Sequence, residues 1–191
     1  MPRAGLTPDA VVDHALALID EQGPDALTLA GVAARAKVAT PSLYKHVPGG
    51  LAALRRLIAI RITGDLADHL RQATAGAEGD PAMEALLRAY HAYATRYPGR
   101  YAALPQSPAG ADEELLGVAG ELVGAILAVL RGYGIAGSEA VHAARTVRAL
   151  THGFASLSIG GAFQLSEDLA VTQDRLIGVL TGGLRNWPAG G

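Results

Sequence analysis

The 191-residue sequence contains no cysteine and no uninterrupted run of about 18 apolar residues. The absence of cysteine excludes disulfides, thiolate metal sites and thiol nucleophiles. Without a long apolar run a membrane-spanning helix is not expected, and the first ten residues lack the apolar centre of a signal peptide. We therefore expect a cytoplasmic protein that has no membrane partner.

Enzyme motifs are also missing. The chain has no G-x-S-x-G, no phosphate-binding loop and no dinucleotide-binding fingerprint. Its six histidines are scattered, and no two of them have the spacing of metal ligands on one helix. The acidic run Asp112-Glu113-Glu114 is typical of a helix start, where the helix dipole favours negative charge. We expect no catalytic residues, no metal and no cofactor.

The residues that are present predict an all-helical fold. Half of the chain is apolar, and the apolar residues recur at helical spacing with no convincing strand pattern. Proline and glycine mark the ends of the helices. The predicted helices after the first 50 residues break near Gly76–Pro81, Pro98–Pro108, Gly134 and Gly160-Gly161, and Ser166 is expected to cap the last one.

The distribution of charge is uneven. The formal net charge is −2, yet the stretch from Ala26 to Gly64 contains no acid and six basic side chains. These are Arg35, Lys37, Lys45, Arg55, Arg56 and Arg61. A local basic patch is sufficient to bind DNA phosphates. The same pattern also fits a solvated helical hairpin that happens to lack acids.

Two short helices with a tight corner occupy this stretch. Thr28 is a natural N-cap for the first helix, and Lys37-Val38 forms the corner with Val38 buried. The second helix is expected from about Thr40 to Lys45, with Pro41 in its first turn. This layout is that of a helix-turn-helix, whose second helix enters the major groove.

A set of spaced residues in the first 50 positions resembles the N-terminal domain of the TetR family of bacterial transcriptional regulators. The set comprises Thr7, Val11, Ala15, Gly23, Thr28-Leu29, Val32-Ala33, Val38 and Ser42–Val47. The resemblance implies a three-helix DNA-binding domain at residues 1–49 and a helical effector-binding and dimerisation domain at residues 50–187. It also implies a homodimer on a palindromic double-stranded operator.

The resemblance and the layout together nominate the DNA-binding residues. The second helix, with Thr40, Pro41 and Ser42, should enter the major groove, while Lys37 and Thr28 are candidates for backbone contacts. The motif match places Tyr44 and His46 at phosphates, beside Lys45. The full set is Thr28, Lys37, Thr40, Pro41, Ser42, Tyr44, Lys45 and His46.

The sequence departs from the family pattern at two positions. Lys37 occupies the corner where glycine is usual, and a left-handed backbone there would cost a non-glycine residue about 1 kcal/mol. Gly50 stands near the position of a usual lysine, which removes one expected cation that faces phosphate.

Aromatic residues gather in the second half of the chain. Tyr90, Tyr93 and Tyr97 share one helical face. Either they pack the core or they line a cavity for a mostly apolar small molecule, and the family resemblance favours the cavity. The predicted ligand-binding set is Tyr90, Tyr93, Tyr97, Tyr101, Leu116, Leu127 and Phe154.

The C-terminal half resembles a TetR subgroup called WHG, on residues 97–101, 152–157 and 160–163. That resemblance implies a dimer in which the last two helices pair with their copies. The stripe Leu169, Leu176, Ile177, Leu180 and Leu184 is expected to exceed what one partner helix can cover. The function predicted is a ligand-responsive regulator, most plausibly a repressor. The alternative is a helical small-molecule-binding or protein-interaction module without DNA binding.

Overall fold

A computed structural model describes residues 6–105 and 112–188, and every regular element within them is helical. This confirms the all-helical prediction. The α-helices are α1 (Pro8–Gln22), α2 (Leu29–Ala36), α3 (Thr40–Leu43), α4 (Gly50–Thr74), α5 (Gly79–Arg96), α6 (Pro98–Ala102), α7 (Glu113–Arg131), α8 (Gly137–Ile159) and α9 (Leu169–Arg185). None of the described helices is long and apolar enough to cross a membrane.

Side-chain caps fix several helix starts. The hydroxyl of Thr7 accepts a hydrogen bond from the Ala10 amide, and that of Thr28 accepts one from the Gly31 amide, as the sequence predicts. The cap expected at Ser166 is wrong. Asp168 caps α9 instead, because its carboxylate accepts from the Ala170 amide at 2.8 Å, so the helix begins three residues later.

By packing, the chain divides into two compact units. Unit 1 comprises the described residues of Met1–Thr63 and Tyr97–Gly117, and unit 2 those of Gly64–Arg96 and Val118–Gly191. Helices α4 and α7 contribute residues to both units. The functional boundary proposed between residues 49 and 50 stays a prediction, but the packing of unit 1 continues to Thr63.

Unit 1 has its own apolar core. Helix α1 presents Val11, Ala15 and Ile19 to it, and all three are buried. The remaining buried members come from α2, from the end of the corner segment and from the first half of α4: Val32, Ala33, Leu43, Val47, Leu54, Ile58 and Ile62. Burial of this apolar surface holds the two-helix motif against α1 and α4.

The short helix α6 belongs to unit 1 although it lies 60 residues beyond the two-helix motif. It follows a proline where the sequence predicts only a break. A β-carbon added to Gly99 would lie 2.6 Å from the carbonyl oxygen of Ile19, so the backbone of α6 approaches the end of α1 more closely than any side chain allows. Beside this contact, the guanidinium of Arg100 donates hydrogen bonds to both carboxylate oxygens of Asp20.

In unit 2, α5 packs against α8 and α9. Asp80, at the start of α5, accepts a hydrogen bond from the Tyr133 hydroxyl at 2.8 Å and a second from Arg185 at the end of α9. Burial and this carboxylate raise the pKa of Tyr133. The indole of Trp187 donates to Glu139 at 2.9 Å, so polar contacts tie the C-terminal end of α9 to two other helices.

The apolar stripe expected to remain uncovered on the last helix is mostly covered. Ile177, Leu180 and Leu184 are buried within the chain. The helical period was right, but α5 packs on that face. A different set of apolar side chains on α8 and α9 is exposed instead: Val141, Leu157, Ile159, Val171 and Val179.

Gly99→Ala should destabilise unit 1, because the new methyl group would meet a backbone oxygen that cannot move aside. Overpacking of this kind costs about 1–3 kcal/mol of the free energy of unfolding. Denaturant unfolding measures the loss. Gly117→Ala is the matched control, since a β-carbon there meets nothing within 4 Å and alanine favours the helix. Equal stability of the two variants would contradict the close approach.

Candidate nucleic-acid interface

The corner between α2 and α3 is built around a left-handed lysine. Lys37 has φ 56° and ψ 42°, and it is the one non-glycine residue with positive φ in the described chain. Its amide donates to the Ala34 carbonyl, and the next amide, of Val38, donates to the Ala33 carbonyl at 3.0 Å. This pair of hydrogen bonds is the usual glycine-type helix ending. The left-handed backbone considered from the sequence is therefore present with lysine in the glycine position.

Helix α3 is shorter than predicted. It ends at Leu43, and Tyr44 to His46 continue as a turn instead of reaching Lys45 as regular helix. Leu43 and Val47 are fully buried and anchor the two ends of this turn in the core. Val38, expected to be buried, is half-buried against the same core.

The predicted DNA-binding side chains lie on the surface around this turn. Thr28, Lys37, Pro41, Tyr44 and Lys45 are exposed. Thr40, Ser42 and His46 are half-buried. The exposed fraction of Tyr44 is 53%, which is high for an aromatic ring that serves no core. All eight residues thus belong to unit 1, and their role at DNA stays a prediction.

Tyr44 lies against the start of α4. A β-carbon added to Gly50 would lie 3.4 Å from the Cε1 atom of Tyr44, and Gly50 has a φ of +68°. Both the positive φ and the adjacent ring favour glycine there. The departure from the family pattern at this position therefore has a local structural reason.

Three of the six cations in the acid-free stretch have acidic partners from elsewhere in unit 1. Arg35 makes two hydrogen bonds to Glu21, both at 2.6 Å, and they lower the pKa of Glu21. Arg56 donates to Asp112, whose pKa is held below its usual value mainly by this contact, and to Glu114.

Arg61 is the third paired cation. Its guanidinium reaches Asp13 at 2.9 Å and Asp9 at 3.0 Å, both on α1. The expectation that the whole block is available to DNA is therefore wrong. The stretch lacks acids in sequence, but its neighbours in the fold supply them.

Three cations of the stretch remain exposed and make no ion pair with any described residue. They are Lys37 at the corner, Lys45 in the turn after α3, and Arg55 in the second turn of α4. The sequence analysis counted Arg55 in the basic block but did not nominate it as a contact. Its absence from any acidic pair, which only the fold reveals, distinguishes it from Arg56.

The predicted ligand-binding residues divide between the units. Tyr90, Tyr93 and Phe154 are buried in unit 2, where Leu127 is half-buried. Tyr97, Tyr101 and Leu116 belong to unit 1, and Leu116 is exposed. Tyr97 lies under the guanidinium of Arg100, 4.6 Å from its ring centre. Among the residues described, no group of three or more metal-type side chains could hold an ion.

A helix-turn-helix with exposed cations defines a DNA-binding regulator, and comparison with known proteins agrees. Residues 11–48 match the family model described as bacterial regulatory proteins, tetR family, and residues 83–180 match the tetracyclin repressor-like C-terminal domain. The chain belongs to the TetR family. It is therefore a transcription regulator and not an enzyme, and the alternative of a module without DNA binding is not supported.

Individual relatives cover nearly the whole chain. The uncharacterized HTH-type transcriptional regulator Rv0681 of Mycobacterium tuberculosis is 33% identical over 98% of this chain and 86% of its own length. The crystal structure of regulatory protein SCO4313 superposes with a TM-score of 0.76 at 25% identity, over 92% of this chain and 95% of that one.

A third similar structure is a variant of TetR from Acinetobacter baumannii AYE in complex with minocycline. Its TM-score is 0.71 at 20% identity, over 97% of this chain and 100% of that one. At this identity the likeness concerns the fold alone.

Lys37→Gly should stabilise the protein by about 1 kcal/mol, because glycine adopts the left-handed corner without a β-carbon clash. For a chain of this size that corresponds to a rise in Tm of about 2–4 °C. Differential scanning calorimetry measures it. Lys37→Ala is the control, since it removes the same charge but keeps a β-carbon. If the two variants melt together, the corner carries no backbone strain.

Proposed function

We propose that this regulator is a repressor that binds a palindromic operator as a homodimer and is released by a small, mostly apolar effector. The observation that supports the ligand response is the path of the chain. Residues 97–117 belong to unit 1, with the helix-turn-helix, yet they are joined at both ends to helices of unit 2. A change in unit 2 can therefore act on unit 1 through chain continuity.

The DNA contacts proposed for unit 1 follow from charge and exposure. Thr40, Pro41 and Ser42 on α3 read the major groove. Three exposed cations, Lys37, Lys45 and Arg55, neutralise phosphates because no acid in the described fold competes for them. Thr28, Tyr44 and His46 add uncharged phosphate contacts. Arg35, Arg56 and Arg61 hold unit 1 together and leave DNA affinity to the others.

Arg55 lies near enough to the proposed surface for this role. The start of α4 contacts Tyr44 through Gly50, and five residues of helix correspond to about 7.5 Å along the axis. An arginine side chain spans a comparable distance. Arg55 would thus replace the cation that the family pattern places nearer to position 50.

Arg55→Gln should weaken binding to the operator and flatten its salt dependence. Each lost phosphate contact lowers the slope of log K against log salt by about 0.9, or about 1.8 for two subunits. Fluorescence anisotropy of labelled operator at several salt concentrations measures both effects.

Arg56→Gln is the neighbouring comparison, and Arg131→Gln is the control for net charge. Arg56 is already paired with Asp112 and Glu114, so its replacement should leave the slope nearly unchanged. A slope reduced as much by Arg56→Gln as by Arg55→Gln would contradict the division into paired and free cations.

The effector is proposed to bind among the aromatic residues of unit 2, with Tyr90, Tyr93, Leu127 and Phe154 at its site. The Acinetobacter protein of the same fold holds minocycline, which supports a ligand site in a fold of this kind. An effector releases DNA only if it binds the conformation that does not fit the operator more tightly. A tenfold preference corresponds to about 1.4 kcal/mol.

The involvement of Tyr97, Tyr101 and Leu116 in the same site remains part of this proposal. These residues lie in the segment that returns to unit 1. Tyr101 is buried there, so an effector would reach it only after a change in that segment. This gives the segment a role in the response whether or not its side chains touch the effector.

The dimer is proposed to form through α8 and α9. The exposed face of α9 carries Val171 and Val179, and a β-carbon added to Gly178 would meet nothing within 4 Å. Small and apolar side chains let two helices approach closely, and the last two helices of each chain would then form a four-helix bundle. A twofold axis would set two reading helices on successive turns of the operator.

Val179→Glu should give a folded monomer, because a charge would be buried at the proposed seam while the side chain is 76% exposed in the single chain. Light scattering during size-exclusion chromatography measures the mass, and circular dichroism the fold. Val123→Glu on α7 is the matched control for an exposed valine. A Val179→Glu protein that remains dimeric at micromolar concentration would exclude this seam.

A further inference from the structure

One buried nitrogen in unit 2 has no partner. The Nε2 atom of His91, on α5, is inaccessible to solvent and makes no hydrogen bond to any described residue. A buried polar atom without a partner costs about 1–3 kcal/mol. Such a cost is usually retained where the atom has a partner in another state of the protein.

The surroundings of His91 are aromatic and lead outward. Its ring centre lies 5.0 Å from that of Phe154 on α8, and the Phe154 ring lies 5.5 Å from that of Phe163. Phe163 belongs to the connector between α8 and α9. The three rings therefore form a row from a buried nitrogen to the surface of unit 2.

The connector is the exposed end of this row. Residues 160–168 are all exposed and none lies in a helix, and Gly161 adopts a φ of +62°. Phe163 is itself 37% exposed. Moving this ring would uncover Phe154 and the face of His91 behind it without unfolding a helix.

We propose that His91 Nε2 is the hydrogen-bonding anchor of the effector, and that the effector is a flat, neutral, apolar molecule with a hydroxyl group, of the phenol class. Its ring takes the place of Phe163 against Phe154, and its hydroxyl reaches His91. This inference rests on the effector site proposed above and names the chemistry of its ligand.

A hydroxyl fits this nitrogen better than a charged group does. Burial lowers the pKa of His91, so the imidazole is neutral near pH 7, and each of its nitrogens is then either a donor or an acceptor. A hydroxyl can donate or accept, so it pairs with Nε2 in either tautomer. A carboxylate would pair best with an imidazolium, which burial disfavours.

The test compares two probes of similar shape, 2-naphthol and 2-methylnaphthalene, titrated with the full-length protein without DNA. Probe fluorescence reports binding. The wild-type protein should bind 2-naphthol about tenfold more tightly, although the methyl compound is the more apolar. His91→Phe should remove this preference, and it should raise the Tm of the free protein by about 2–4 °C because the unpaired nitrogen is gone.

Two further variants keep the test decisive. His91→Leu is a second apolar replacement and should also abolish the preference if the larger ring of His91→Phe disturbs folding. His69→Phe is the control, since His69 is exposed on α4 and its ring lies 5.9 Å from Tyr93. It should leave both the preference and the Tm unchanged.

The outcomes separate this inference from the proposed function. Equal binding of the two probes to the wild-type protein, no binding of either, or a preference that survives in both apolar His91 variants would overturn the assignment of His91. If 2-naphthol binds through His91 but does not change the affinity for operator DNA, the anchor stands and the proposed release mechanism fails.

Discussion

Unit 1 depends on the contact between the end of α1 and the backbone of α6. Gly99 approaches the Ile19 carbonyl closely, and Arg100 pairs with Asp20 beside it. These contacts draw a segment distant in sequence into the same unit as the helix-turn-helix. Arg56 adds a second tie, because Asp112 and Glu114 lie at the far end of that segment. The DNA-binding unit is thus completed by residues that a boundary near residue 50 would leave out.

The same tie has an electrostatic consequence. A guanidinium that already donates to a carboxylate has little charge left to offer a phosphate, and exposed pairs of this kind add little to stability. Their effect is to restrict the positive surface of unit 1 to Lys37, Lys45 and Arg55. Charge in the sequence and charge available at the surface differ for this reason.

Local features could be predicted from the sequence because local interactions determine them. Thr7 and Thr28 cap their helices as expected, and the corner at Lys37 is left-handed. Non-local features could not. The pairing of Arg61 with α1, the covering of Leu180 by neighbouring helices and the return of α6 to unit 1 each depend on residues 50 or more positions away. The site was accordingly predicted in its position but not in its free charge.

The most direct test of this account is the salt dependence of operator binding by the wild-type protein at pH 8, where His46 is neutral. Three free cations from each of two subunits predict a slope of log K against log salt of about −5. A slope near about −11 would mean that Arg35, Arg56 and Arg61 also release counterions at phosphates, and it would contradict the account.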